Sequence, residues 1–161
     1  MNTTNNKSLL DVDQLSEVDI QNIMNEADKL SNDNIESTKK YNSGKSVLTL
    51  FYENSTRTRT SFELAAKKLG ADVINISLGS SSVKKGESLL NTVKTLEAMQ
   101  FDLIIVRHSD AGAPYFISRN IDIPVINAGD GLHAHPTQTL LDVYTIQKKL
   151  GTLKNKKISI I

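Results

Sequence analysis

Regular alternation of apolar strands and helical patterns constrains this fold more than any other feature of the sequence. The predicted strands span residues 46–52, 72–77, 102–107 and 123–127, and the predicted helices span residues 57–69, 87–99, 111–119 and 136–150. Such alternation is typical of βαβ units, and nearly continuous apolar strands are typical of a sheet covered on both faces. We therefore predict an α/β fold with a four-stranded parallel sheet and helices on both faces.

The segments outside this alternation predict the domain organisation. Residues 1–10 are rich in Asn and Thr and lack periodicity, which indicates a loose arm, and Ser16 with Asp19 resembles the capping box of a following helix. Residues 1–150 then form one domain. The apolar segment 158–161 resembles the opening strand of a new unit, so residues 151–161 are predicted to be a linker and the first strand of a second domain, before which the chain is truncated.

Charge balance and the absence of cysteine exclude several classes of function. The 161 residues include 19 basic and 18 acidic side chains, so a net charge of +1 favours neither nucleic acid nor a membrane surface as partner. Without cysteine there is no disulfide, thiolate nucleophile or cysteine zinc site. No signal peptide and no apolar run of about 20 residues is present, so a cytoplasmic protein is expected.

Polar segments that follow the strands are the expected location of chemistry, because ligands of parallel sheets bind beyond the carboxyl ends of the strands. The first segment, residues 53–60, reads ENSTRTRT and places Arg57 and Arg59 at the start of a helix. Helix-end N–H groups, hydroxyl donors and guanidinium groups all favour an anion. An ordinary N-cap would account for one hydroxyl residue, but not for two arginines, so we predict an anion site.

Two later segments add an arginine, an imidazole and an amide to this edge. Arg107 ends the third strand, so three of the four arginines lie at strand ends. His135 stands at the start of the last helix with Gln138 on the same face, although a capping histidine and a solvated glutamine are the alternative interpretation. Asp130 and Asp142 are not expected to join the site, and His133 and His135 lack the carboxylate that would indicate a metal site.

The remaining loop and the missing motifs narrow the reaction class. Residues 78–87 carry Lys84 and Lys85 after three serines, and by composition this is a solvated surface loop. The sequence has no Walker A motif, no GxGxxG motif and no Ser–His–Asp set. Arginine, lysine, threonine, histidine and glutamine together suit a small phosphorylated carbonyl compound, whose developing negative charge they would stabilise.

Several ordered motifs resemble the carbamoyltransferases. The main two are FYENSTRTRTSFE at 51–63 and HPTQ at 135–138, while VKKGE at 83–87, RH at 107–108 and NAGDG at 127–131 resemble the catalytic chain of the aspartate carbamoyltransferases. The resemblance runs from about residue 8 to the end and corresponds to the amino-terminal half of that chain. Ornithine carbamoyltransferase, which shares STRTR, is the alternative enzyme, and a non-catalytic trimerisation module is the alternative of another class.

This resemblance implies roles for particular residues. The phosphate of carbamoyl phosphate would be bound by four residues: Ser55, Thr56, Arg57 and Thr58. Its carbonyl oxygen would contact Thr58, Arg107 and His135, its amino group would contact Gln138, and Arg59 would be structural. A neighbouring subunit of a homotrimer would supply two more residues of the loop, Ser81 and Lys85, and Lys85 would also touch aspartate.

The resemblance also implies a reaction. The amino group of L-aspartate would attack the carbamoyl carbon, giving N-carbamoyl-L-aspartate and phosphate in pyrimidine biosynthesis, without a cofactor or metal. Thr58, Arg107 and His135 would stabilise the oxyanion, and Arg57 with Lys85 would stabilise the departing phosphate. The missing second domain would bind most of the aspartate, so this chain alone is expected to be inactive. Whether regulatory chains bind is left open.

Overall fold

A computed structural model describes residues 8–78, 88–153 and 155–159, and over this part of the chain it confirms the predicted alternation. A 3₁₀ turn at Val12–Gln14 precedes the helices α1 and α2. The elements in chain order are α1 Glu17–Asn32, α2 Ile35–Thr38, β1 Ser46–Phe51, α3 Thr56–Lys68, β2 Asp72–Ser77, α4 Leu89–Glu97, β3 Leu103–His108, α5 Ala113–Asn120, β4 Val125–Asp130 and α6 Pro136–Leu150.

The four strands form one parallel sheet in the order β2-β1-β3-β4. Side chains of β1 alternate between the two faces: Leu48 and Leu50 pack into one core cluster, and Val47 and Phe51 pack into the other. The first cluster includes Val93 and Leu96 of α4 and Ile117 of α5, whereas the second includes Ala66 of α3. Helices therefore cover both faces, as predicted, and all four carboxyl ends lie at one edge.

The ends of the helices follow their sequence signals. Ser16 and Asp19 form the predicted capping box of α1, with the Asp19 N–H donating to Ser16 Oγ and the Ser16 N–H donating to Asp19 Oδ2. Gly70 follows α3 with a φ of +90°. The Thr38 hydroxyl donates to the carbonyl oxygen of Lys68 at 3.1 Å, which ties the end of α3 to α2. The carbonyl oxygen of Lys39, the residue after Thr38, leaves no space for a Cβ atom at Gly70.

The prediction of a loose arm is wrong for residues 8–10, the part of the arm that the structure describes. Residues 8–10 pair with the edge strand β4: the Leu9 N–H donates to the Val125 carbonyl oxygen at 2.8 Å, and the Asn127 N–H donates to the Leu9 carbonyl oxygen at 2.9 Å. The side chain of Leu10 is buried in the core. Edge strands leave backbone groups unpaired, and this short segment satisfies those of β4. Residues 1–7 lie outside the described residues.

The predicted strand at 158–161 is not found over its described half. Residues 155–159 contain no strand, and residues 160–161 lie outside the described part of the chain. A strand is stabilised by hydrogen bonds to a neighbouring strand, and within the described residues this segment pairs with none. The domain boundary at residue 150 stays a prediction.

Strand β4 extends three residues beyond its predicted end at residue 127. Its pairing with β3 is irregular, because Val106 pairs with Asn127 whereas His108 pairs with Asp130. One extra residue is therefore accommodated in β4, as in a β-bulge, and Gly129 has a φ of +115° there. Residues 128–130, which lie beyond the predicted end of the strand, are therefore part of the sheet.

Candidate functional site

An open cavity of about 760 Å³ lies where the carboxyl ends of the strands meet the first turns of α3 and α6. Six of the predicted site residues line it: Ser55, Arg57, Thr58, Arg107, His135 and Gln138. Ser61, Phe62, Ala65, Thr137 and Leu141 complete the described lining, and none of these eleven residues is acidic. Two guanidinium groups that the sequence places 50 positions apart therefore share one cavity with an imidazole.

The first turn of α3 presents donors to this cavity. Ser55 is the N-cap residue, but its side chain makes no capping hydrogen bond, and its hydroxyl instead donates to Thr58 Oγ1 at 2.9 Å. Backbone N–H groups of a first turn lack partners within the helix, and this turn contains no acidic residue. Arg57 is exposed and forms no ion pair with another described residue. The turn is therefore suited to bind an anion.

Two residues of the same motif do not line the cavity. Thr56 is the first residue of α3 and is exposed, so only its backbone belongs to the anion-binding turn. Arg59 lies one helical turn before Glu63, and the pKa of Glu63 is lowered chiefly by a hydrogen bond from Lys67 and more weakly by the charge of Arg59. The structural role expected for Arg59 stays a prediction.

Arg107 is held on two sides. Its Nη1 donates to the carbonyl oxygen of Ala128 at 3.1 Å, and its Nε lies 3.5 Å from Glu53 Oε2. Only 20% of the side chain is exposed. A guanidinium has five N–H donors, and Nε makes no hydrogen bond to the described residues, so the bond to Ala128 leaves several donors for a ligand. Glu53 belongs to the ENSTRTR motif, but its pairing with Arg107 could not be read from the sequence.

His135 and Gln138 both face the cavity from the start of α6. His135 is the N-cap residue without a side-chain capping bond, and its Nδ1 lies 3.3 Å from Thr137 Oγ1. Burial, together with the charge of Arg107, lowers the pKa of His135, so the ring is neutral at pH 7. Gln138 Nε2 donates to Asp142 Oδ1 at 2.9 Å. Asp142, which was expected to stay outside the site, therefore orients an amide that lines it.

Residues missed by the sequence interpretation fall into two groups. Ser61, Phe62 and Ala65 follow Thr58 at helical spacing, so the period of α3 would have identified them as lining residues. Asp130 does not line the cavity, but its completely buried carboxylate accepts hydrogen bonds from the segment that leads to His135. No local signal distinguishes such a carboxylate from a solvated one.

Three features of the prediction remain: two loop residues of the site, clusters of metal ligands, and membrane-spanning helices. Ser81 and Lys85 lie outside the described residues. In residues 8–78, 88–153 and 155–159, no three histidine or carboxylate side chains cluster as metal ligands would. The helices of the same ranges are too short or too polar to span a bilayer.

Two half-buried histidines predict how stability depends on pH. Burial lowers the pKa of both His135 and His108, and His108 Nδ1 also accepts the Asp110 N–H at 2.9 Å, a bond that ring protonation would break. The unfolded chain protonates these rings near pH 6.5, before the folded chain does, so stability is full above that pH and falls as the pH decreases. Urea unfolding between pH 7.5 and 5 should show this loss.

Matched variants identify the source of that pH dependence. His108→Asn and His135→Gln should each flatten the decrease in the free energy of unfolding, because each removes one group that takes up a proton on unfolding. Carboxylates, whose pKa values in the unfolded chain lie near 4, contribute only a small part of the decrease above pH 5. An unchanged slope in the double variant would show that other groups cause the decrease.

Comparison with known proteins gives the family. A family model described as the aspartate/ornithine carbamoyltransferase, carbamoyl-P binding domain, matches residues 7–148. The chain belongs to this family. The match covers all four strands and every described residue that lines the cavity.

Relatives of this carbamoyltransferase chain refine the comparison. The aspartate carbamoyltransferase catalytic subunit of Caldicellulosiruptor bescii is 55% identical over 157 residues, which are 96% of this chain and 52% of the relative. That of Acetivibrio thermocellus is 51% identical, with 96% and 50% covered. The chain thus spans about half the length of the curated relatives it matches. The resemblance to aspartate carbamoyltransferase catalytic chains is confirmed.

Solved structures of the family confirm the fold. The catalytic subunit of M. jannaschii aspartate transcarbamoylase superposes with a TM-score of 0.81 at 45% identity, covering 90% of this chain and 48% of the other. Aspartate transcarbamoylase from Trypanosoma cruzi, in complex with carbamoyl aspartate and phosphate, gives 0.84 at 34% identity, covering 93% and 48%. The four-stranded sheet with its helices therefore has the fold of the carbamoyl-P binding domain of this family and covers about half of an aspartate transcarbamoylase chain.

Proposed function

We propose that this chain is the carbamoyl-phosphate-binding half of an aspartate carbamoyltransferase. The complete protein transfers the carbamoyl group to L-aspartate in the cytoplasm, as a step of pyrimidine biosynthesis. The observation that carries the proposal is the convergence of Arg57, Arg107 and His135 on one cavity without a lining carboxylate. Fixed positive charge beside helix N–H groups suits a doubly charged acyl phosphate, and the neutral ring suits its carbonyl oxygen.

The phosphate group binds at the mouth of α3. Arg57 supplies charge, and the hydroxyl groups of Ser55 and Thr58 supply short donors, the Ser55 hydroxyl by turning from Thr58 Oγ1 to the phosphate, while Thr56 contributes its backbone. Because the side chain of Ser55 does not cap the helix, the N–H groups of this turn are available to phosphate oxygens. The same groups stabilise the phosphate as it departs.

The carbonyl oxygen of the carbamoyl group lies between Arg107, His135 and Thr58. When the amino group of aspartate attacks the carbamoyl carbon, this oxygen gains negative charge, which donors held in advance stabilise. A neutral His135 contributes an N–H rather than a charge, and Gln138 contacts the carbamoyl amino group. Loss of one such donor costs about 3 kcal/mol of transition-state stabilisation in comparable enzymes.

In the complete protein, a neighbouring subunit and a second domain supply the remaining residues of the site. Ser81 and Lys85 come from a neighbouring subunit of a homotrimer, and Lys85 contacts both phosphate and aspartate. A second domain binds most of the aspartate, so the chain alone has no turnover. No cofactor or metal takes part. The relatives named above favour aspartate over ornithine as the acceptor, and carbamoylation of ornithine by the complete protein would overturn that assignment.

Phosphate-dependent stabilisation tests this function. Inorganic phosphate at about 100 times its Kd should stabilise the purified protein by about 2.7 kcal/mol through mass action, relative to a chloride buffer of equal ionic strength. In Arg57→Ala most of the increase in Tm should disappear, because the main charge at the mouth of α3 is gone. Differential scanning fluorimetry measures the effect.

Arg119→Ala is the matched control for this experiment. Arg119 is exposed in the last turn of α5 and does not line the cavity. Its removal should leave the phosphate-dependent shift unchanged. Equal shifts in the Arg57 and Arg119 variants, or no shift in the unsubstituted protein at tens of millimolar phosphate, would contradict the proposed function.

A further inference from the structure

A buried amide and a buried carboxylate lie behind the cavity. The side chains of Asn127 and Asp130 are completely buried, and Asn127 Nδ2 donates to Asp130 Oδ1 at 2.9 Å and to the Leu10 carbonyl oxygen at 3.0 Å. Neither residue lines the cavity, and neither has a role in the reaction described above. Burying a carboxylate is costly unless hydrogen bonds compensate for the lost water. The pattern of those bonds therefore indicates what the carboxylate organises.

Asp130 joins three parts of the chain. Its Oδ2 accepts the Gly112 N–H at 2.7 Å at the start of α5, and its Oδ1 accepts the Ala134 N–H at 3.0 Å, one residue before His135. His133 Nδ1 lies 3.0 Å from Oδ2. Burial alone would raise the pKa of Asp130, but the hydrogen bonds from Asn127, Gly112 and Ala134 together lower it, so the group is an ionised acceptor.

Asn127 shapes the backbone that touches Arg107 and His135. Its Oδ1 accepts the Gly129 N–H at 2.8 Å, which curls the chain so that the Ala128 carbonyl oxygen accepts Arg107 Nη1. A Cβ atom on Gly129 would lie 2.8 Å from Arg107 Nη1 and 3.3 Å from His135 Cδ2. The guanidinium and the ring therefore both rest against this short stretch of backbone.

We propose that Asn127 and Asp130 are positioning residues, which fold residues 128–135 so that Arg107 and His135 meet the carbonyl group of the substrate. The inference rests on the proposed function, in which these two side chains contact the carbonyl oxygen. No hydrogen bond joins the described residues at the mouth of α3 to Asn127 or Asp130, so phosphate binding at this turn and the placement of Arg107 and His135 can be tested separately. Disturbing the buried pair should impair only the carbonyl part.

Asp130→Asn tests this separation with two probes. The variant replaces one of the two acceptor oxygens by an NH₂ group, which donates and does not accept. It therefore cannot accept hydrogen bonds from both the Gly112 N–H and the Ala134 N–H. Affinity for inorganic phosphate should be nearly unchanged, whereas affinity for phosphonoacetamide, which adds a carbonyl group, should fall about ten-fold or more. Isothermal titration calorimetry at a temperature well below the melting point of the variant gives both affinities.

A second measurement on the same variant follows the histidine directly. As the backbone segment relaxes, the ring of His135 leaves Arg107 and becomes more exposed, so NMR titration should show its pKa rising toward 6.5. A loss of stability alone would move neither this pKa nor the ratio of the two affinities. Asn127→Ser, which cannot keep all the bonds of the amide, should shift both readouts in the same direction.

Asp102→Asn is the matched control. Asp102 also accepts a backbone and a side-chain hydrogen bond, from the Ser46 N–H at 2.8 Å and from Lys45 Nζ at 2.9 Å. It lies just before β3, where the strands begin, and so at the opposite end of the strands from the cavity. The Asp102→Asn variant should lose stability and keep the wild-type ratio of the affinities for phosphate and phosphonoacetamide. A wild-type ratio in both Asp130→Asn and Asn127→Ser overturns the inference, as does failure of both to fold. Absence of phosphate binding in the unsubstituted protein would instead overturn the proposed function.

Discussion

Gly70→Ala is expected to lower the free energy of unfolding by about 3 kcal/mol, the largest loss of stability expected from adding a single methyl group. Two penalties combine at this position. Its φ of +90° disfavours any residue with a Cβ atom, and the added Cβ would overlap the carbonyl oxygen of Lys39. That carbonyl belongs to backbone next to Thr38, which bonds the end of α3, so it cannot move away without breaking the contact.

Gly151→Ala separates the two penalties. Gly151 follows α6 as Gly70 follows α3, with a φ of +77°, but a Cβ there meets nothing within 4 Å. Only the backbone penalty of about 1 kcal/mol should appear. Urea unfolding of both variants measures the difference, and equal losses would show that the Lys39 carbonyl does not restrict this position.

Gly129→Ala is expected to weaken phosphonoacetamide binding about 100-fold, because displacing catalytic groups by about 1 Å has effects of this size. The added Cβ would lie 2.8 Å from Arg107 Nη1 and 3.3 Å from His135 Cδ2, so both groups must move. The end of an arginine side chain can shift without unfolding the protein. The main consequence is therefore lost binding, accompanied by the strain of a residue with a φ of +115°.

Gly44→Ala is the control for that strain. Gly44 has a φ of +77° before β1, and nothing lies within 4 Å of an added Cβ. The variant should lose some stability and keep wild-type affinity in calorimetric titrations at 10 °C. Wild-type affinity in Gly129→Ala as well would show that the backbone at residue 129 does not determine where Arg107 and His135 lie.

Much of the fold could be predicted because its signals are local. The apolar segments predicted β1, β2 and most of β3, and Gly70 marked the end of α3. Predictions failed where a distant segment decided the outcome. Residues 8–10 look like an arm because their partner, β4, lies more than 110 positions away, and β4 looks shorter than it is because a bulge accommodates Gly129.

In the candidate site too, local signals were predicted from the sequence and contacts between distant segments were not. Ser55, Arg57 and Thr58 belong to one helix start, and the preference of such a start for anions follows from the direction of its N–H groups. Arg107, His135 and Gln138 could be assigned to the same edge, because the carboxyl ends of parallel strands meet there. Which groups hold them could not be predicted, since Glu53 and Ala128 contact Arg107 only after the strands have assembled.

The sequence by itself determined the parallel α/β sheet, the anion-binding start of α3 and the membership of a carbamoyltransferase family, because periodicity, helix polarity and ordered motifs are properties of short segments. Only the tertiary structure decided that Asp130 is buried and ionised, and that Gly129 supports both Arg107 and His135. The physical reason is that a carboxylate is stabilised without water only when donors from several segments, here at residues 112, 127 and 134, meet around it.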